Sequence, residues 1–144
     1  PWTGQRAQQL RLLVEQDLAV YSMHLPLDAH ATLGNAARLA HALGFRQLKP
    51  FFHDPKRPGQ FIGWQTMLHR PLPRSALQGR LEKVLQRPVL LLAGGTETCR
   101  RIGICTGGAG SEMALAHSEG VDTFSAGTRS RSGVQPAASA RFRG

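Results

Sequence analysis

The alternation of strand-like and helix-like segments is the feature of this sequence that most limits its fold. The clearest unit covers residues 101–127, where "RIGIC", "TGGAG", "SEMALAHSEG" and "VDTFSAG" read as a strand, a glycine-rich turn, a helix and a second strand. Strands that alternate with helices are typical of layered domains in which helices cover a sheet. The predicted fold class is therefore α+β, with mixed α/β layers.

The preceding segments are assigned from the spacing of their apolar residues and from their glycines and prolines. Apolar residues at helical spacing indicate helices, and short apolar runs bounded by turn residues indicate strands. In chain order the predictions are a helix at 4–17, a buried strand at 18–24, a helix at 33–44, a loop at 50–59, a strand at 60–68, a helix within 71–87 and a strand at 88–95.

Composition indicates one globular domain or a piece of one. The chain has 144 residues, of which 41% are hydrophobic, and residues 1–127 are assigned to this partial domain. No apolar run is long enough for a membrane span, and no signal peptide is recognisable, so a cytoplasmic protein is expected.

The first residue is proline, which suggests a fragment. Cys99 and Cys105 are expected to be reduced and buried.

The charge of the chain is concentrated partly in its last segment. The formal net charge is +9, and residues 128–144 hold four arginines, no acid and hardly an apolar side chain. Such a segment is predicted to be disordered, because it cannot bury enough surface to offset its ordering entropy. We hypothesise that it is unrelated to the domain or encoded out of frame. No basic stripe is interleaved with aromatic residues, so nucleic-acid binding is not expected.

The stretch "HLPLDAH" offers candidate metal ligands. His24 is expected at the end of the predicted strand, with Asp28 in the irregular turn that follows. Imidazole and carboxylate together suit Zn, Mn, Fe or Ni, but a catalytic zinc needs about three protein ligands. The alternative is that His24 is hydrogen-bonded at a strand end and Asp28 caps the next segment. His30 is expected to be a surface or capping residue.

The stretch "TGGAGS" offers a candidate phosphate cradle. Gly107, Gly108 and Gly110 would free backbone N–H groups to face an anion at the start of the next helix. The stretch lacks the ending of a P-loop and the full GxGxxG spacing. A plain tight turn between strand and helix explains the glycines equally well.

Two blocks of the sequence resemble a known family. "VYSMHLPLDAHATLGNAARLAHALG" at 20–44 and "RIGICTGGAGSEMALAHSEGVDTFSAG" at 101–127 are similar to the Nif-three-like dinuclear metal-centre family, whose bacterial members are often called type 2 GTP cyclohydrolase I. The resemblance implies two intertwined α/β halves, only partly present here, and a ring-shaped hexamer. It also implies two divalent metal ions in each subunit, held by histidines and carboxylates from both halves.

The resemblance assigns roles to two residues. Asp28 matches the family's metal-ligating aspartate, and His24 matches a histidine that lines the same site and would ligate, orient a water or shuttle its proton. The family's His-His pair precedes the first helix seen here, and its His and Glu pair follows the "VDTF" strand, where residues 128–144 contain neither. Weak metal binding and little activity are therefore expected of this chain. The hypothesis requires Asp28 to face His24 and the glycine turn.

The function that follows from the resemblance is metal-dependent hydrolysis of a nucleotide-like substrate, with the glycine turn holding a phosphate. The alternative is a non-catalytic metal-binding or regulatory protein that acts through a protein partner. A third hypothesis is nucleic-acid binding in the channel of a ring, which predicts an affinity that falls steeply with salt.

Overall fold

The computed structural model describes residues 3–55 and 57–127. Within these ranges the helices are α1 (Gly4–Glu15), α2 (Leu25–Asp28), α3 (Asn35–Ala42), α4 (Arg74–Leu85) and α5 (Met113–Ser118), and the strands are β1 (Lys49–His53), β2 (Phe61–Pro73), β3 (Thr98–Cys105) and β4 (Thr123–Ala126). A 3-10 turn, Ala109–Ser111, lies between β3 and α5. The predicted disorder of 128–144 lies outside the described residues.

The four strands form one mixed sheet in the order β1-β2-β3-β4. β1 pairs with β2 and β2 with β3 in antiparallel orientation, whereas β3 and β4 are parallel. Parallel neighbours need a crossover connection, and α5 supplies it. The prediction of mixed α/β layers is confirmed. The structure also confirms the helices predicted at α1, α3, α4 and α5 and the strands predicted at β2, β3 and β4.

The core consists of two clusters that share β3. Ile102 and Ile104 belong to the cluster with α3 and α4, whereas Cys105 belongs to the cluster with α5. Successive side chains of a strand point to opposite faces, so Gly103 faces the second cluster. A Cβ on Gly103 would lie 2.5 Å from the Phe51 ring, which occupies this space. Helices therefore cover both sides of β3.

The strand predicted at 18–24 is wrong. These residues form no strand, and Val20 and Tyr21 are 74% and 86% exposed. An apolar run becomes a strand only where a neighbour completes its backbone hydrogen bonds, and the described residues provide no such neighbour. His24 consequently does not lie at a strand end.

The strand predicted at 88–95 is also wrong. The segment is irregular, and Leu90 is 73% exposed. Side chains of α4 occupy backbone groups that a ladder would use: the Val89 N–H donates to Glu82 Oε1 at 3.1 Å, and its carbonyl accepts from Gln78 Nε2 at 3.0 Å. The segment is hydrogen-bonded to the helix α4 instead of to the sheet.

The loop predicted at 50–59 is wrong in its first part, which belongs to β1. Pro50 fits because β1 is an edge strand, where a missing N–H is tolerated. Phe52 adopts a left-handed backbone with φ 63° and is nevertheless buried. The Glu119 carboxylate accepts the N–H groups of Phe52 and His53 at 3.0 and 2.7 Å. These contacts stabilise the unusual end of β1.

Candidate metal site

A single helical turn brings His24 and Asp28 together. Pro26 lies in the first turn of α2, where its missing N–H costs nothing, and the Asp28 N–H donates to the His24 carbonyl at 3.0 Å. Residues four apart on a helix share a face. His24 Nε2 accordingly lies 3.6 Å from Asp28 Oδ2. The sequence had indicated an irregular turn, and the helical turn gives a closer pair.

The Asp28 carboxylate is directed at the end of β3. Its side chain is 15% exposed, and its Oδ1 lies 3.5 Å from the donor Thr106 Oγ1, which is 78 positions away in the chain. This distance is at the long limit for a hydrogen bond. α3 begins after Gly34 without a side-chain cap, so Asp28 does not cap it. The carboxylate thus faces both His24 and the first residue of the glycine turn.

Cys105 ends β3 immediately before Thr106 and is 1% exposed. Burial, and secondarily the charge of Asp28, raises the pKa of the Cys105 thiol to about 12. The thiol is therefore protonated near neutral pH and is not a nucleophile. Both cysteines are free and buried, as predicted.

The two histidines of the motif have different environments. The His24 side chain is 82% exposed, so its imidazole is open to solvent. His30 Nδ1 accepts the N–H groups of Thr32 and Leu33 at 3.3 and 3.2 Å. His30 is exposed, which confirms the surface position that was one of its two expected roles, and its occupied nitrogen stabilises the turn without capping α3.

The glycine turn has a structural explanation of its own. Gly107 adopts φ +74°, and a Cβ on Gly127 would lie 2.5 Å from the Gly107 carbonyl oxygen. The end of β4 therefore packs directly on the turn. A 3-10 turn separates Gly108 from α5, which has six residues, whereas the sequence indicated a helix directly after the glycines. Phosphate binding by Gly107, Gly108 and Gly110 stays a prediction.

The site offers fewer donors than a metal ion needs. Among residues 3–55 and 57–127, no group of three or more His, Cys, Asp or Glu side chains could hold one. In the same ranges Asp28 has no Lys or Arg ion-pair partner. A carboxylate and an imidazole are suitable ligands, but a catalytic zinc needs about three from the protein. The described residues fit one side of a metal site and do not close it.

Two residues that the sequence did not single out contribute to this site. Thr106 contacts Asp28, and its position directly after the "RIGIC" strand was the available signal. Gly34 lies against the carbonyl oxygens of Leu27 and Asp28. A glycine between two helical patterns does not by itself indicate such a contact.

Comparison with known proteins assigns the chain to a family. The model of the Duf34/NIF3 (NGG1p interacting factor 3) family matches residues 2–142. The chain belongs to the Duf34/NIF3 family. The resemblance found in the sequence is thereby confirmed.

The relatives are longer than this chain. It is 36% identical over 135 residues to the GTP cyclohydrolase 1 type 2 homolog of Pasteurella multocida, covering 93% of the chain and 52% of the relative. The protein of the same name from Haemophilus influenzae is 33% identical over 135 residues. The chain thus spans about half the length of the curated relatives it matches.

Solved structures share the fold. A structural-genomics structure titled protein ybgI, unknown function, has a TM-score of 0.68 and 33% identity, covering 88% of this chain and 49% of the other. TTHA1606 from Thermus thermophilus has a TM-score of 0.67 at 24% identity, covering 92% and 50%. Their likeness supports the Nif-three-like fold. In the part of the chain that the structure describes, the helices are too short or too polar to cross a membrane.

Proposed function

We propose that the chain contributes Asp28 as a metal ligand, and His24 beside it, to the divalent metal centre of a hydrolase that acts on a nucleotide-like substrate. The observation that carries the proposal is the state of Asp28: its carboxylate is 15% exposed and lies beside an exposed imidazole. Among the described side chains, no Lys or Arg neutralises it. Carboxylates that are largely withdrawn from water are usually paired with a cation or a metal.

The substrate class rests on the names of the relatives, which are GTP cyclohydrolase 1 type 2 homologs. Two ions in each subunit, drawn from Zn, Mn, Fe or Ni, and a hexameric ring are part of the proposal for the whole protein. The remaining ligands would come from outside the described residues, since these hold no group of three or more His, Cys, Asp or Glu side chains that could bind a metal ion.

The chain's own residues have definable tasks. Thr106 donates a hydrogen bond to Asp28 Oδ1 and so orients the carboxylate, as groups behind a metal ligand commonly do. The exposed His24 imidazole is placed to ligate the ion, to orient a bound water or to shuttle its proton. When bound, the metal ion would lower the pKa of a water molecule and supply hydroxide.

Calorimetric titration of the 144-residue chain with Mn²⁺ tests the metal-binding part. We expect weak binding, with an affinity that falls more than about tenfold in Asp28→Asn, because even loss of a group behind a ligand costs this much. Asp17→Asn is the matched control, since Asp17 is exposed and belongs to neither α2 nor its surroundings. Equal affinities in wild type and Asp28→Asn, or the absence of binding, would contradict the proposal.

The alternative is a metal-binding or regulatory protein without turnover that acts through a protein partner and uses the same Asp28 carboxylate. Incubation of the Mn²⁺-loaded chain with GTP and other nucleotides, followed by chromatography, separates the two functions. Hydrolysis is supported if wild type forms a product that neither Asp28→Asn nor His24→Gln forms. Metal binding that depends on Asp28, with no product from any nucleotide, supports the alternative.

A further inference from the structure

Gly34 lies at the boundary between the α2 turn and α3. Its backbone angles, φ −62° and ψ 144°, are available to any residue, so conformational freedom does not explain a glycine here. Space does. A Cβ on Gly34 would lie 2.6 Å from the carbonyl oxygens of Leu27 and His30 and 2.7 Å from that of Asp28. All three are backbone atoms, so they cannot move aside without moving α2, which holds Leu27 and Asp28, or the turn at His30 that follows it.

This contact is coupled directly to the candidate ligand. One of the three carbonyl oxygens belongs to Asp28 itself, so a displacement of α2 also displaces the Asp28 side chain. The bond between Asp28 Oδ1 and Thr106 Oγ1 is already 3.5 Å long. An O–H···O hydrogen bond is usually about 2.5–3.0 Å long, so this contact is already weak, and a displacement of about 1 Å is enough to break it or to misplace a ligand.

The other side of the same turn is also held. The Gly34 N–H donates to the His30 carbonyl at 3.1 Å, and the Gly34 carbonyl accepts the N–H of Arg38 at 2.9 Å. His30 Nδ1 accepts two N–H groups within the turn. The spacing between α2 and α3 is thus fixed by backbone contact at Gly34 and by the hydrogen bonds that His30 accepts.

We propose that Gly34 is a positioning residue of the candidate metal site. Because Gly34 has no Cβ, α2 can lie close enough to α3 for the Asp28 carboxylate to reach Thr106. The proposal rests on the proposed role of Asp28 as a metal ligand. Gly34 itself touches neither metal nor substrate.

The test is Gly34→Ala, with Gly79→Ala as the matched control. Gly79 lies in α4, and a Cβ there meets nothing within 4 Å, so alanine should leave or slightly raise the melting temperature. For Gly34→Ala we expect a Mn²⁺ affinity at least about tenfold weaker, in a chain that keeps its circular dichroism spectrum. In an Asp28→Asn background Gly34→Ala should weaken Mn²⁺ binding no further, because it acts through Asp28.

A measurement without metal separates this inference from the proposed function. Nuclear Overhauser contacts between the Asp28 and Thr106 side chains report their approach directly, and we expect them in wild type and Gly79→Ala but not in Gly34→Ala. If wild type binds no Mn²⁺ but Gly34→Ala still loses the Asp28–Thr106 contacts, the metal site is contradicted and the positioning role of Gly34 is supported. Contacts and Mn²⁺ affinity that both survive Gly34→Ala would overturn the positioning role.

A second variant covers the outcome in which Gly34→Ala does not fold. His30→Ala removes the acceptor inside the turn without adding an atom, and His30 is exposed, so the fold should persist. We expect weaker Asp28–Thr106 contacts and a Mn²⁺ affinity lowered severalfold. Unchanged contacts in His30→Ala would contradict the claim that the spacing between α2 and α3 sets the position of Asp28.

Discussion

Residues 4–27 and the sheet with its covering helices differ sharply in burial. α1 has no buried residue, and Leu12 and Val14 are 55% and 73% exposed. In the sheet, by contrast, Phe51 is fully buried and Ile104 is 1% exposed. Apolar burial is the main favourable term in folding, so the stability of this chain resides in the sheet.

The candidate site lies at the border between these two regions. Asp28 is partly buried, and the contacts that fix it come from Thr106 at the end of β3 and from Gly34 at the start of α3. α1 contributes to neither contact. The geometry of Asp28 should therefore persist when α1 is perturbed and fail when the sheet is.

The largest expected effect contrasts one substitution in the two regions. Leu77→Ala in α4 removes a side chain that is 4% exposed, and we expect it to lower the free energy of unfolding by about 2–5 kcal/mol. Leu12→Ala in α1 removes one that is 55% exposed and should change it by about 0.5 kcal/mol or less. Urea denaturation followed by circular dichroism measures both. Equal losses would show that α1 is packed as tightly as α4.

The contrast also explains what sequence patterns can predict here. β2 and β3 are recognisable because their apolar side chains are buried by partners within the described chain. The runs at 18–24 and 88–95 look equally apolar, yet one has no neighbouring strand among the described residues and the other is tied to α4 through Val89. Apolar composition reports a capacity for burial, whereas a strand also needs a hydrogen-bonding neighbour.

The candidate site was predictable to a similar degree. The residue types and spacing of His24 and Asp28 allowed either metal binding or plain hydrogen bonding and capping, and only the resemblance selected Asp28 as a ligand. The contact with Thr106 spans 78 positions and depends on tertiary packing, which no local pattern encodes. The close approach at Gly34 depends likewise on how α2 meets α3.

A smaller effect is expected at the start of β4, inside the sheet region. Asp122 accepts the N–H groups of Arg100 and Arg101 at 3.0 and 2.8 Å and the hydroxyl of Thr123 at 2.7 Å. Asp122→Ala should lower the free energy of unfolding by about 1.5–3 kcal/mol, because hydrogen bonds to a charged group are lost. Asp17→Asn, in the exposed region, is the control and should be nearly silent in the same urea experiment, because asparagine tolerates the left-handed backbone at this position, φ 48°. A silent Asp122→Ala would mean that these bonds do not stabilise the β3–β4 pair.

The smallest expected effect is a pH dependence of the free energy of unfolding caused by Cys105, which lies on the sheet side of Asp28. Burial, with a further contribution from the Asp28 charge, raises the pKa of this thiol from 9.0 to about 12. Above pH 9 the unfolded chain therefore loses a proton that the folded chain keeps. The unfolded state then binds fewer protons, so the free energy of unfolding must fall with rising pH, by up to about 1.4 kcal/mol per pH unit. Below about pH 8 this contribution to stability is fully present.

Comparing urea denaturation at about pH 8 and about pH 10 isolates the Cys105 contribution, because other groups that ionise are common to wild type and variant. Cys105→Ala should lose less stability over this interval than wild type, while Cys99→Ala, which removes an equally buried thiol, should retain the effect of Cys105. Asp28→Asn should reduce the pH effect slightly, because a nearby negative charge no longer opposes thiolate formation. A Cys105→Ala profile parallel to wild type would show that the end of β3 admits water. The sheet side of the site would then resemble the exposed region before it.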